Sequence, residues 1–124
     1  MYELTVIAHF SAAHQLRDCG GACEHLHGHN WRVDVVVRGE EPRAGGMVID
    51  FRILKAETQA ILETVDHRYL NDLEYFQKVE PSSEGIARYI FEALEQRLST
   101  HKVQLYKVTA WESEGTAASY LKTP

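Results

Sequence analysis

The sequence predicts an α+β fold, in which an antiparallel sheet of four strands carries two helices on one face. Two observations predict this class: four runs alternate apolar and polar residues, and two runs repeat apolar residues at helical spacing. The alternating runs are 2–14, about 27–38, 103–112 and 116–121, and the helical runs are 51–65 and the stretch after the helix-start signal at 81–84. The order strand, strand, helix, helix, strand, strand favours two helices on one side of an antiparallel sheet.

The first two strands each end an apolar face in histidine. Residues two apart in a strand point to the same face. The residues that share the parity of His14 are Leu4, Val6, Ala8, Phe10 and Ala12, and those that share the parity of His27 and His29 are Trp31, Val33, Val35 and Val37. The sequence therefore predicts that these histidines belong to the core-facing side of the sheet.

The remaining segments have the composition of loops, turns and caps. Glycines and both cysteines suit a loop over 17–26, and 39–46 is rich in turn residues. Asp50 is a suitable N-cap for the helix over 51–65. Polar residues end the stretch 65–71, and Gly115 marks the turn between the last two strands.

Length and composition predict one domain over residues 1–124 with a core of ordinary size. The hydrophobic fraction of 44% and the charged fraction of 25% are usual for a globular protein. A net charge of −5 argues against a nucleic-acid partner. Neither a signal peptide nor an apolar run of membrane-spanning length is recognisable, and two cysteines fit a reducing compartment, so we expect a cytoplasmic protein without a membrane partner.

The richest stretch in chemical terms runs from Cys23 to His29 and contains a thiol, a carboxylate and three imidazoles. His27 and His29 can reach one ion from a single strand because they point the same way. If His14 comes from a neighbouring strand, three imidazoles meet on one metal. Three nitrogen ligands with an open fourth position are typical of catalytic zinc.

Three other interpretations of this stretch stay open. The histidines could cluster in a polar loop without binding anything. A structural zinc knot could form from Cys19, Cys23, His27 and His29, although its spacing is compressed for such a site. A Cys19–Cys23 disulfide would close so short a loop that its entropic gain is small, and nothing marks the chain as secreted.

An open sheet of four strands has two edges, and long antiparallel edges invite pairing with another copy. Closing several copies into a barrel would remove these edges. We therefore expect a homo-oligomer.

Six motifs, in order, resemble the 6-pyruvoyltetrahydropterin synthase family along nearly the whole chain. They are Phe10-Ser11-Ala12-Ala13-His14, Cys23-x3-His27-Gly28-His29, Gly46-Met47-Val48-Ile49-Asp50-Phe51, Asp66-His67-x2-Leu70-Asn71, Pro81-Ser82-Ser83-Glu84 and Glu112. The three-residue gap between Cys23 and His27 is most similar to the bacterial branch, the 6-carboxytetrahydropterin synthases.

The resemblance implies a tunnelling fold, with hexamers made of two trimers and active sites at subunit interfaces. It implies zinc bound by His14, His27 and His29. Cys23 matches the family's catalytic thiol, Asp66 and His67 match its proton-transfer pair, and Glu112 matches the glutamate that anchors the pterin ring. The implied reaction converts 7,8-dihydroneopterin triphosphate to 6-carboxy-5,6,7,8-tetrahydropterin, with release of acetaldehyde and triphosphate, on the way to queuosine and other deazapurines.

The product and several roles stay open. Glu24 follows Cys23, and some relatives with a glutamate here cleave a dihydroneopterin-type side chain to a 6-hydroxymethylpterin for folate synthesis. A 6-pyruvoyltetrahydropterin synthase and a non-catalytic zinc module are further alternatives. Apart from the resemblance, Asp66-His67 is a polar pair at a helix end and Glu112 a solvated carboxylate. The candidates for binding the triphosphate, by charge alone, are Arg17, Arg32, Arg43 and Arg68.

Overall fold

The computed structural model describes residues 1–17 and 25–122 and has the predicted α+β class. The strands are β1 (Tyr2–His14), β2 (His27–Gly39), β3 (Arg68–Tyr69), β4 (Gln104–Ser113) and β5 (Thr116–Leu121), and the α-helices are α1 (Phe51–Leu62) and α2 (Ser83–Arg97). Short 3-10 turns lie at Ala44–Gly46, Leu70–Asp72 and Glu74–Gln77. Within the described ranges, no helix is both long and apolar enough to cross a membrane.

The strands form one sheet in the order β3-β1-β2-β4-β5. The pairings of β1 with β2, β2 with β4, and β4 with β5 are antiparallel, as predicted. The expectation of four strands was incomplete, because β3 adds two residues that run parallel to β1 at Ala12 and Ala13. A strand of two residues is too short to show alternation in the sequence. It is held in place partly by the His67 N–H, which donates to the Ser11 carbonyl at 2.6 Å.

The core lies between one face of the sheet and both helices. The sheet contributes the alternating apolar residues that the sequence predicted to face inward, and of these Trp31, Val33, Val35 and Val37 are fully buried. The helices contribute Leu54, Leu62, Ile86, Ile90 and Leu94, which are also fully buried. Each such side chain contributes roughly 1.5–3 kcal/mol on burial. The packed core therefore fixes which face of β1 and β2 turns inward.

The helix starts agree with the cap signals. The Asp50 carboxylate accepts the Arg52 N–H at 2.8 Å, and the Ser82 hydroxyl accepts the Gly85 N–H at 3.1 Å. Helix α1 ends at Leu62 rather than 65, because the chain continues in turns, in which the N–H groups of Val65 and Asp66 both donate to the Leu62 carbonyl. This early end turns the chain towards β3.

Candidate metal centre

The ends of β1 and β2 bring three imidazole rings together on the inner face of the sheet. His14 is paired directly with His27, and His29 lies opposite Ala12. The ring centroids are 4.7 Å apart for His14 and His27, 5.3 Å for His14 and His29, and 4.5 Å for His27 and His29. The grouping expected from the sequence is thus present in the fold.

Backbone carbonyls hold two of these rings in one orientation. The Nδ1 of His14 lies 2.6 Å from the Pro81 carbonyl oxygen, and the Nδ1 of His27 lies 2.6 Å from the His25 carbonyl oxygen. A carbonyl oxygen only accepts, so each Nδ1 carries the proton and each Nε2 keeps its lone pair. Histidines that bind a metal usually donate their other ring N–H to a carbonyl or carboxylate in this way.

His14 gives the strongest local indication of a ligand site. Its side chain is 1% exposed, and its Nε2 is buried without a hydrogen-bond partner among the described residues. Leaving a buried acceptor unsatisfied costs about 1–3 kcal/mol. A metal ion at this nitrogen would remove that cost, and a site with three imidazole donors suits zinc.

Glu112 lies beside the three histidines and makes a group of four possible metal ligands. The family resemblance assigned Glu112 to the pterin ring, and the sequence did not predict its place beside the histidines. Its Oε1 lies 2.8 Å from the Nε2 of His29 and 3.9 Å from the Nε2 of both His14 and His27. The four potential ligand atoms all lie within 4.8 Å of one another. The signal that could have found this position is parity, since Glu112 follows Val108 and Ala110 on the inner side of β4.

Helix α2 contacts the same carboxylate from its first residue. The Ser83 hydroxyl donates to the Oε2 of Glu112 at 3.3 Å, so one carboxylate oxygen faces the histidines and the other faces the helix. The carboxylate is about one third exposed. It can therefore bind a metal with one oxygen or accept N–H groups from a ligand that enters from solvent.

Asp66 and His67 form a pair at the edge of the sheet. The Asp66 Oδ1 accepts the Ser11 N–H at 2.9 Å and lies 3.1 Å from the Nδ1 of His67. The Ser11 N–H, with the His67 ring, holds the pKa of the Asp66 carboxyl below its ordinary value, against the effect of partial burial. His67 has a φ of 58° and its side chain is 81% exposed.

The contacts between described residues do not join His67 to the three histidines. His67 borders a depression of about 470 Å³, which is also lined by Ser11, Ala12, His29 and Asn30. Ser11 and Asn30 alternate with the inward residues of β1 and β2, so their side chains line the depression from the other face of the sheet. The depression thus adjoins the strand ends that carry the candidate metal centre, although no hydrogen bond or ion pair among the described residues joins the Asp66–His67 pair to the three histidines.

The four arginines proposed for a triphosphate differ in their contacts. Arg17 bonds to Glu80, Arg32 to Asp34, and Arg43 to the Lys102 carbonyl. Arg68 is exposed next to His67 and has no such partner among the described residues. The remaining site candidates, Cys23 and Glu24, lie outside the described residues, as does Cys19, so the knot and disulfide alternatives are untested.

Comparison with known proteins gives a consistent result. The family model described as 6-pyruvoyl tetrahydropterin synthase matches residues 3–123. A putative 6-pyruvoyl tetrahydrobiopterin synthase of Caenorhabditis elegans is 40% identical over 124 residues, covering 90% of this chain and 88% of the relative. A 6-carboxy-5,6,7,8-tetrahydropterin synthase of Synechocystis is 41% identical over 92 residues, covering 70% of each. The solved structure of Caenorhabditis elegans 6-pyruvoyl tetrahydropterin synthase superimposes with a TM-score of 0.86 at 34% identity, covering 98% of this chain and 96% of that one.

The bonded Asp66 carboxylate predicts a pH-dependent contribution to stability. Its pKa is lowered in the folded chain, so its contribution is fully present above the unfolded-state pKa of about 4 and is lost as the pH falls through the folded value. We expect Asp66→Asn to have a lower free energy of unfolding than the wild type at pH 7, and this difference to decrease below about pH 4. Urea unfolding between pH 3 and 7 measures this. Asp72→Asn is the control, because exposed Asp72 has no hydrogen-bond or ion-pair partner among the described residues. The prediction is contradicted if the free energy of unfolding of Asp66→Asn differs from that of the wild type by the same amount at every pH.

Proposed function

This chain belongs to the 6-pyruvoyl tetrahydropterin synthase family, and on that premise we propose that it is a zinc-dependent lyase acting on 7,8-dihydroneopterin triphosphate. The proposed products are 6-carboxy-5,6,7,8-tetrahydropterin, acetaldehyde and triphosphate, which would serve deazapurine synthesis. The observation that carries the proposal is the convergence of His14, His27 and His29, with the buried Nε2 of His14 turned towards the group. The Synechocystis relative, named for this product, supports the choice.

The metal would be held by the Nε2 atoms of His14, His27 and His29. When bound, zinc supplies Lewis-acid polarisation of the hydroxyl groups of the substrate side chain. The Pro81 and His25 carbonyls keep two of the rings in the tautomer that this binding needs. The site thus fits the metal through its three imidazole donors and through the carbonyls that orient two of them.

Three other groups have proposed roles in binding and proton transfer. Cys23 would act as the base at the substrate side chain, because a thiol beside a metal or histidine ionises near neutral pH. His67, held by Asp66 at 3.1 Å, would exchange a proton on the opposite side of the substrate. Glu112 would accept the paired N–H groups of the pterin ring with the carboxylate that meets His29 and Ser83.

Two alternative products remain in competition, each with its own support. The Caenorhabditis elegans relative is named as a 6-pyruvoyl synthase and matches more of the chain than the Synechocystis relative does. The Cys23-Glu24 pair instead suits cleavage of the side chain to a 6-hydroxymethylpterin. A purely structural zinc module is disfavoured, because such a site has no need for the partly exposed Glu112 carboxylate or for the Asp66–His67 pair.

We propose a homohexamer made of two trimers. The exposed edge of β1 is paired with β3 only at Ala12 and Ala13, and the outer edge of β5 is unpaired among the described residues, so both edges can pair with further copies. No hydrogen bond or ion pair among the described residues joins the Asp66–His67 pair to the three histidines of its own chain. A neighbouring chain could therefore place its own Asp66–His67 pair at that centre.

Mixing two inactive variants tests this sharing. Cys23→Ala and His67→Ala homo-oligomers should each lack activity, while subunits exchanged between them should regain part of it, since some sites then combine intact Cys23 and intact His67. Activity before and after exchange measures this. A monomer by light scattering at micromolar concentration, or no recovery after proven exchange, would contradict the shared site.

The sharpest test of the reaction separates Cys23 from Glu24. Adjacent residues in an extended segment point apart, so only one of them is expected to face the substrate. A thiolate is the better base near pH 7, since an ordinary carboxylate has a pKa of about 4. Cys23→Ala should abolish formation of the carboxytetrahydropterin while zinc stays bound. Glu24→Ala should keep most of that reaction and reduce any hydroxymethylpterin.

The measurement is product analysis after incubation of each zinc-loaded protein with dihydroneopterin triphosphate. Zinc content serves as the control for each variant. Loss of carboxytetrahydropterin in Glu24→Ala, with retention in Cys23→Ala, would make the side-chain cleavage the primary function. A wild-type protein that yields a pyruvoyl product, or no product, would overturn the proposed reaction.

A further inference from the structure

Residues 15–17 leave the sheet directly after the proposed ligand His14, and side chains replace the lost strand pairing. The ladder between β1 and β2 ends at the pair His14 and His27. Beyond it, the Gln15 N–H donates to the Asn71 Oδ1 at 2.9 Å, and the Asn71 Nδ2 donates to the Gln15 carbonyl at 2.7 Å. Asn71 therefore holds the first residue after the ligand by both of its backbone groups.

Glu80 holds the backbone two residues further on. Its two carboxylate oxygens lie 3.2 and 3.0 Å from the Arg17 backbone N, and its Oε1 also accepts from the Arg17 Nε at 3.0 Å. The Arg17 Nη2 donates to the carbonyls of Phe76 and Val79. These bonds, here called the Glu80–Arg17 clamp, are charge-assisted, and they hold both the backbone and the guanidinium of Arg17.

The clamp lies one residue from the carbonyl that orients His14. Pro81 follows Glu80, and its carbonyl accepts the His14 Nδ1–H at 2.6 Å. Proline fixes φ at this junction, which restricts how far the Pro81 carbonyl can move relative to Glu80. The start of α2 also restrains them, because a Cβ on Gly85 would come within 2.1 Å of the Glu80 carbonyl oxygen. A displacement of Glu80 would therefore move the partner of the His14 ring.

We propose that Glu80, through its clamp on Arg17, is a positioning residue for His14 in the metal centre. The inference rests on the metal site of the proposed function. Glu80 links Arg17, which lies three residues after the ligand, to Pro81, whose carbonyl contacts the ligand's ring. His14 is thereby restrained both through its backbone and through its ring. Groups that hydrogen-bond a metal ligand directly typically change metal affinity by about 10- to 100-fold, and Glu80 acts one contact further from the ligand, so we expect an effect at the lower end of that range.

An ordinary surface ion pair would not have this effect, and the chain offers one for comparison. Arg97 on α2 donates to Glu57 on α1 through Nε at 3.0 Å and Nη2 at 2.8 Å. The side-chain exposures are 46% and 22% for Arg97 and Glu57, against 39% and 33% for Arg17 and Glu80. Among the described residues, Glu57 pairs with Arg97 and His101 and contacts none of the histidines of the metal centre, so Glu57→Ala is a matched control.

The experiment measures zinc affinity by chelator competition on the full chain, for wild type, Glu80→Ala, Glu80→Gln and Glu57→Ala. The free energy of unfolding is measured for the same proteins with excess chelator. We expect Glu80→Ala to bind zinc about 10-fold more weakly. Glu80→Gln should fall between it and the wild type, because its amide oxygen still accepts the Arg17 N–H. Glu57→Ala should lose stability without losing zinc affinity.

Three outcomes would overturn the inference. In the first, Glu80→Ala binds zinc within twofold of the wild-type affinity. In the second, Glu57→Ala loses as much zinc affinity as Glu80→Ala does. In the third, Glu80→Ala does not fold, and Glu80→Gln folds and binds zinc with unchanged affinity. A wild-type protein that binds no zinc would overturn the metal site itself and this inference with it. Failure of the positioning role is thus distinguishable from failure of the proposed function.

Discussion

The register of β1 against β2 is the constraint on which the candidate metal centre depends. The two strands pair without interruption from Tyr2 and Gly39 to His14 and His27. The burial of Trp31 and the valines of β2 fixes which parity turns inward. A slip of one residue would send every side chain of a strand to the other face, so the core that buries these residues also turns His27 and His29 towards His14. The hydrophobic face and the ligand set are therefore specified together.

Much of this arrangement follows from local sequence. Alternation predicted the limits of β1 and β5, cap residues predicted the starts of both helices, and the shared parity of His27 and His29 predicted their common face. The two-residue β3 escaped prediction because it is too short for any period. The contacts of Glu80 with Arg17 and of Glu112 with His29 also escaped, since side-chain contacts between residues 63 and 83 positions apart leave no local pattern.

The site has features that folding alone does not explain. His14 is buried with an Nε2 that lacks a hydrogen bond among the described residues, and His67 adopts a left-handed φ that is uncommon outside glycine. Both features cost stability. Departures of this kind from the rules of folding are expected at functional sites, where the gain is in binding or chemistry. His14 and His67 each belong to a motif that carries the family resemblance. The stability lost at these two residues is therefore consistent with a role of both in the proposed lyase function.

The most direct test of this account is zinc-edge X-ray absorption fine structure on the zinc-loaded wild-type protein. Binding by three imidazoles predicts nitrogen and oxygen ligands only, at about 2.0–2.1 Å, with the multiple scattering that imidazole rings produce. A sulfur ligand at about 2.3 Å would contradict it, because the metal would then be bound by cysteine, as in the alternative knot of Cys19, Cys23, His27 and His29.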